Sequence, residues 1–222
     1  NATPEEKARL SRYVGWGGLA DVFDEKKGGQ WQETREFLKD KITEQEYRVA
    51  RSSVLNAHYT PDFVVDEIHT YLSRCQIQGK ILEPAAGIGN FLRRQPNIHY
   101  SAVELDSLSG RILKQRFPEE DIIIKGFEET NFADDSFDAA IGNVPFGDYK
   151  VFDENYKHQN FLIHDYFLAK SLDKVKPGGV LILITGKGTL DKEKDSVRRY
   201  LFERAELLGA VRLPSGAFSA TA

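Results

Sequence analysis

The 222-residue chain contains no methionine and a single cysteine, Cys75. One cysteine excludes an internal disulfide framework and fits a reducing compartment, so a cytoplasmic location is the expectation. Long apolar runs are also missing. The longest strongly apolar run, Val180 to Thr185, is far too short to cross a bilayer, and no secretory pattern is read at the amino end. Nor is there an excess of positive charge: a formal net charge of -4 and a pI near 5.8 exclude a uniformly basic, free-standing DNA binder. Any grip on nucleic acid is left to local patches such as Arg93-Arg94 or Lys187 to Arg199, or to chain beyond this sequence. An opening Asn1 in a chain without methionine reads either as an excerpt of a longer protein or as a sequence from which methionines have been dropped.

What is present suits a folded domain. With 41% hydrophobic and 29% charged residues the chain is neither disordered nor membranous, and at 25.2 kDa it can bury a substantial core. Residues 1–57 read as an α-helical extension. Thr3 precedes a helix over Pro4 to Tyr13, glycines around Trp16 break "YVGWGGLADVFDE", and helical patterns resume over Thr34 to Asp40 and Glu44 to Ser53.

From residue 58 to residue 222 the pattern alternates. Thr60 as a cap before Pro61 starts a helix whose apolar face is Val64, Val65, Ile68, Tyr71 and Leu72. Strands are expected over Lys80 to Glu83, Tyr100 to Glu104, Ile122 to Lys125, Phe137 to Ile141, Val180 to Thr185 and Leu207 to Leu213. Helices are expected between them, over Gly89 to Arg94, Leu108 to Arg116, Asn160 to Lys174 and Asp195 to Ala205. Strands and helices at this spacing predict an α/β fold, a Rossmann-like, doubly wound and mostly parallel sheet.

Two motifs lie at predicted strand ends. In "ILEPAAGIGNF", Glu83 ends a strand and Gly87 and Gly89 form a tight turn, where backbone N–H groups can meet a ligand. A dinucleotide would use the same device, with Glu104 at the next strand end holding a ribose. Glu83 directly before the turn would repel a pyrophosphate and attract the ammonium group of S-adenosylmethionine, which favours the latter. In "GNVPFGDY", an amide, a peptide carbonyl, a proline and an aromatic ring follow the strand. Asn143 and the carbonyl of Val144 would accept both hydrogens of an exocyclic amine, freeing its lone pair for in-line methyl transfer; Pro145 would stiffen the loop and Phe146 stack on the base. The plain alternative is a strand-to-loop turn in which Asn caps and Phe packs.

The ordered set "NAHYTP", "ILEPAAGIGNF", "YSAVELD", "GFEETNF", "GNVPFGDY", "NFLIHDYFLAKSLDKVKPGGVLILIT" and "AELLGAVRLPSGAF" resembles the amino-type DNA adenine methyltransferases of the gamma arrangement. It is similar in particular to the methyltransferase domain of the large methylase-helicase proteins of phages, plasmids and conjugative elements, from about Arg12 to Phe218. The resemblance implies a class I methyltransferase fold using S-adenosyl-L-methionine, with no metal, acting on adenine N6 after base flipping. It implies DNA as partner and helicase-like segments in the same full-length protein.

By the same resemblance His58, Tyr59 and Thr60 pack on the cofactor's methionine part. The loop of Glu83, Ala85, Gly87, Gly89, Asn90 and Phe91 wraps its amino acid end, Glu104 takes the ribose hydroxyls, Leu105 lies on its adenine, and Glu128 reads the adenine amine. Asn143, Val144, Pro145 and Phe146 form the catalytic loop, and Phe218 is a second aromatic on the flipped base. Val144 stands where relatives outside this subgroup carry proline, which implies a softer loop, and the chain ends before the strand expected to complete the sheet. A methyltransferase for protein glutamine or an RNA base, and a non-catalytic cofactor- or DNA-binding module, remain alternatives on sequence alone. His164-Asp165, on a helix facing the core, and His58 with His69, lacking metal-ligand spacing, read as structural; Trp16 and Trp31 read as packing anchors or as a lid over the cofactor.

Overall fold

The computed structural model describes residues 2–13, 15–54, 60–193, 195–214 and 217–218. Five strands form one sheet: β1 (Gly79–Glu83), β2 (Ile98–Glu104), β3 (Asp121–Ile124), β4 (Phe137–Asn143) and β5 (Val175–Ile184). Their order is β3-β2-β1-β4-β5, and every pairing is parallel. Parallel neighbours need crossovers that cover both faces, so central strands must be apolar on both sides. Ile81, Leu82, Ala139, Ala140 and Ile141 are indeed fully buried. Successive residues feed opposite cores: Ile81 and Ile141 join one with Val64, Val65, Ile68 and Leu72, whereas Leu82 and Ala140 join the other with Phe167 and Ala169. Each large side chain so buried contributes roughly 1.5–3 kcal/mol, which fixes strand register and places the strand ends.

Three helices precede the sheet, α1 (Pro4–Leu10), α2 (Gln30–Lys41) and α3 (Glu44–Ser53). Thr3 and Thr43 cap α1 and α3 in reciprocal boxes with Glu6 and Glu46. Trp16, Val22, Phe23 and Ala50 form a separate small core, and Tyr13, Trp31, Tyr47 and Leu108 pack against it. A fourth helix, α4 (Asp62–Arg74), also lies ahead of β1; the crossover helices are α5 (Ser107–Arg116), between β2 and β3, and α6 (Ile163–Lys174), between β4 and β5, and the short α7 (Gly188–Asp191) and α8 (Ser196–Phe202) follow β5.

Several expectations are corrected. Thr60 does not cap α4: Pro61 occupies the cap position, and the Thr60 hydroxyl is buried without a hydrogen bond. Tyr71 leaves the apolar face of α4 and is exposed, its place taken by His69. No helix forms over Gly89 to Arg94, because Gly87 and Gly89 adopt φ of 55° and 83°, left-handed values that stop helix propagation. Strand β4 continues past Ile141 to Asn143, and β5 begins earlier than expected, at Val175. Residues 207–213 are irregular rather than a strand; their apolar pattern finds no partner ladder, and Leu207, Leu208 and Val211 are exposed.

Candidate active site

The order β3-β2-β1-β4-β5 reverses direction between β1 and β4, and the carboxyl ends of strands flanking such a reversal form a crevice. Glu83 ends β1, Glu104 ends β2 and Asn143 ends β4. The fold therefore gathers three polar residues, far apart in sequence, at one sheet edge.

The turn after β1 is lashed to the end of β2. Ala86 N–H donates to the Val103 carbonyl (2.8 Å), and Gly87 N–H donates to Glu104 Oε2 (2.6 Å). Asp106 N–H donates to Glu104 Oε1 (2.7 Å), and Asp106 in turn caps α5 through the amides of Leu108 and Ser109. Gly89 is required by packing as well as by φ: a Cβ there would lie 2.5 Å from Leu113 Cδ1 and 2.8 Å from Phe117 Cε2. The expected supply of free amides from a helix start is thus absent, and one amide of the turn is already used to orient Glu104. The Phe91 ring belongs to the core, and its carbonyl meets His69 Nε2 at 2.7 Å while Gln95 Nε2 meets His69 Nδ1 at 3.3 Å. His69 is a pin between α4 and this turn. Ala85 and Asn90 are half-buried within it.

Glu83 is almost wholly buried and its Oε2 has no hydrogen-bond partner. Burial, and then the charge of Glu104, push its carboxyl well above the usual range, against the pull of Arg93 and Arg116. Burial likewise pushes Glu104 up to about 7, opposed by the Asp106 and Gly87 amides. Glu83 Oε2, buried without a donor, makes this end of the sheet suited to a cation. A buried carboxylate oxygen lacking a donor fits the ammonium of an amino acid moiety, and a carboxylate held by two amides keeps acceptor capacity for ribose hydroxyls. The residues present therefore fit S-adenosylmethionine.

Gly142 connects this end to the β4 loop. The ideal Cβ position at Gly142 lies 3.5 Å from Glu83 Cγ and 3.6 Å from Pro84 Cδ, ordinary contact distances, so Glu83 packs beside the residue preceding Asn143. Asn143 and Phe146 are half-buried, as is Pro145. Val144 is held at the end of the ladder: its N–H donates to the Ile184 carbonyl (3.1 Å), a bond proline could not make, and its side chain is 2% exposed in the second core cluster.

Leu105 is exposed beside Glu104, and Phe218 is half-buried. The Glu128 carboxylate folds over Gly126, a position where a side chain would collide with it. His58 and Tyr59 lie outside the described residues. His164 is buried and burial holds its imidazole below the usual range, while Asp165 pairs with Lys192. Among the described residues no cluster of His, Cys, Asp and Glu could hold a metal ion. The basic runs are largely engaged: Arg93 meets Asp62 and Asp66, Arg94 meets Glu119, and Arg199 meets Asp195.

Sequence reasoning missed Gly142, whose only signal is its place directly before Asn143, and it missed the buried Lys170. Lys170 Nζ donates to the carbonyls of Phe127 (2.7 Å) and Thr130 (3.2 Å) and to Asp153 Oδ2 (2.8 Å); Tyr166 OH donates to the same carboxylate oxygen (2.7 Å). It fastens the segment bearing Glu128 to the segment leaving β4.

Residues 37–218 match the family model described as Eco57I restriction-modification methylase. Over 174 residues, 75% of the chain, the sequence is 34% identical to the Defense against restriction protein B of Escherichia phage P1, and the chain spans 8% of that protein's length. The methyltransferase subunit of a type I restriction-modification system from Streptococcus thermophilus is similar in structure, with a TM-score of 0.55 and 15% identity over 69% of this chain and 42% of that one. A protein from Listeria monocytogenes described as a class I S-adenosylmethionine-dependent methyltransferase gives 0.54 and 21% over 83% and 68%. At such identities these structures speak for the fold, which is that of the class I methyltransferases. With four-fifths of its length inside the family model, the chain belongs to the Eco57I restriction-modification methylase family.

Proposed function

We propose that this domain transfers a methyl group from S-adenosyl-L-methionine to the exocyclic N6 amine of adenine in DNA. The observation that carries the reading is the packing of Glu83 against Gly142, which sets the carboxyl suited to the cofactor's amino acid end beside the Asn143 loop. S-adenosylmethionine supplies an electrophilic methyl carbon. Glu83 holds its ammonium group, Glu104 its ribose, Leu105 and Glu128 its adenine, and residues 58–60 with the turn of Ala85, Gly87, Gly89, Asn90 and Phe91 enclose its amino acid end, Phe91 through its backbone.

An adenine amine is a poor nucleophile because its lone pair is delocalised into the ring. Asn143 Oδ1 and the Val144 carbonyl accept its two hydrogens, which turns the lone pair out of the ring plane and toward the methyl carbon. Phe146 stacks on the base, with Phe218 as a second aromatic, and Pro145 limits the loop's motion. The base must leave the duplex to reach this crevice. Nucleic-acid affinity comes in part from the rest of the full-length protein, consistent with the acidic balance of this domain.

Radiolabelled methyl transfer by the full-length protein tests the reading, with DNA, RNA and release-factor-like protein offered together. Label is expected in N6-methyladenine from DNA and is expected to fall at least a hundredfold in Asn143→Ala with cofactor affinity kept. Equal incorporation by wild type and variant, or label confined to RNA or protein, sinks it.

A further inference from the structure

The helical segment 2–54 is docked on the helix that begins at the cofactor carboxylate. Three contacts run along one face of α5: Leu108 packs on the Trp16 cluster, Arg111 Nη2 meets Glu46 Oε1 at 2.6 Å, and Gln115 Oε1 accepts from Ala2 N–H at 3.1 Å. Helix α5 is capped by Asp106, whose own amide holds Glu104. The segment therefore grips the element that fixes the Glu104–Asp106 turn.

Tyr13 sits at the front of this contact. Its ring meets Trp16 edge to face at 6.1 Å, and its hydroxyl is buried without a hydrogen bond inside the structure. That hydroxyl faces Asp106, Ser109 and Glu104; burial and then the Asp106 charge push the phenol above its ordinary range. The Asp106 carboxylate is already bonded to the Ser109 hydroxyl at 2.7 Å and to two amides. The Ser109 hydroxyl beside the phenol is itself bonded to Asp106, so the phenol dipole reaches the Glu104–Asp106 turn through that group.

We propose that Tyr13 is a positioning residue for cofactor binding, bracing the Glu104–Asp106 turn. The inference rests on the assignment of Glu104 to the cofactor ribose. It gives the tyrosine a task that hydrophobic packing alone does not, since phenylalanine would fill the same space without burying a polar group.

Calorimetric titration of S-adenosylmethionine into wild type, Tyr13→Phe, Glu46→Gln and Glu104→Gln provides the test, with unfolding of each protein followed in the absence of cofactor. Tyr13→Phe is expected to weaken binding about five- to tenfold, on the order of one ordinary polar contact, while the cofactor-free unfolding midpoint stays the same or rises. Glu46→Gln, which loosens α3 from Arg111, is expected to weaken binding in the same direction. A second readout is the pH dependence of affinity. Asp106, Glu83 and the Tyr13 hydroxyl are the groups that face Glu104; removing the hydroxyl withdraws a favourable dipole from the carboxylate, so the midpoint of the profile moves to higher pH in Tyr13→Phe. Unchanged affinity and midpoint in Tyr13→Phe, with binding still dependent on Glu104, overturn this inference alone. A loss of affinity that merely follows a loss of stability, with no shift of midpoint, also overturns it. Glu104→Gln binding as wild type does refutes the ribose assignment itself, and this inference with it.

Discussion

The buried carboxyls predict an unusual stability profile for the cofactor-free protein. In the unfolded chain Glu83 and Glu104 titrate near 4.5; in the fold both are raised, Glu104 to about 7. Below the unfolded value both states are protonated and neither residue penalises the fold. Above it the unfolded chain ionises freely while the native carboxyls hold their protons, so stability falls with rising pH until the folded value is passed. At about 1.4 kcal/mol per unit, the Glu104 displacement corresponds to a loss of roughly 3 kcal/mol, nearly complete by pH 7.5. Glu83, raised by burial and by the charge of Glu104, adds to the loss in the same direction. For a domain of this size each kcal/mol moves the unfolding temperature by about 2–4 °C, and about 2.4 kcal/mol of the Glu104 share falls between pH 5 and 7.5, a fall of about 5–10 °C. Thermal unfolding from pH 5 to 8.5, with and without saturating S-adenosylmethionine, measures it. The Glu83→Gln variant keeps the shape, removes one ionisation, and is expected to flatten the cofactor-free curve while losing stabilisation by the cofactor. Parallel curves for wild type and Glu83→Gln across that range would refute the claim that an uncompensated carboxyl sits at the end of β1.

Two further substitutions probe parts of the site that sequence patterns do not announce. Lys170→Met leaves Asp153 buried without its cation and is expected to cost about 3–5 kcal/mol in urea unfolding, whereas the double variant Lys170→Met/Asp153→Leu recovers part of that loss; no cost in the single variant would mean the pair does not hold the two segments together. Val144→Pro, the residue found in relatives outside this subgroup, removes the N–H that reaches the Ile184 carbonyl, and a loss of about 1–2 kcal/mol is expected. A stabilised Val144→Pro protein would show that the ladder bond contributes nothing.

The chain's own pattern was enough to determine the sheet and its ends. Runs such as Ile81-Leu82 and Ala139 to Ile141 are apolar without alternation, and only a strand covered on both faces suits them. The long connections between the strands, helical in two cases, allow parallel order, which brings Glu83, Glu104 and Asn143 to one end of the sheet. These are consequences of local periodicity and chain connectivity, both written in the linear order of residues.

Other features arise from contacts between residues distant in sequence, and only the tertiary structure decided them. The glycine turn spends an amide on Glu104 instead of opening a helix, because the positive φ of Gly87 and Gly89 and the packing of Leu113 and Phe117 act together. Val144 reads as a weakened proline until Ile184 is seen opposite its N–H. Lys170 is one lysine among many until its three bonds converge beneath the segment that bears Glu128. Tyr13 comes close to the Glu104–Asp106 turn because α5 presents Leu108, Arg111 and Gln115 to the preceding helices. A hydrogen bond or a close approach depends on positions in space to within an ångström, and periodicity along the chain carries no such information.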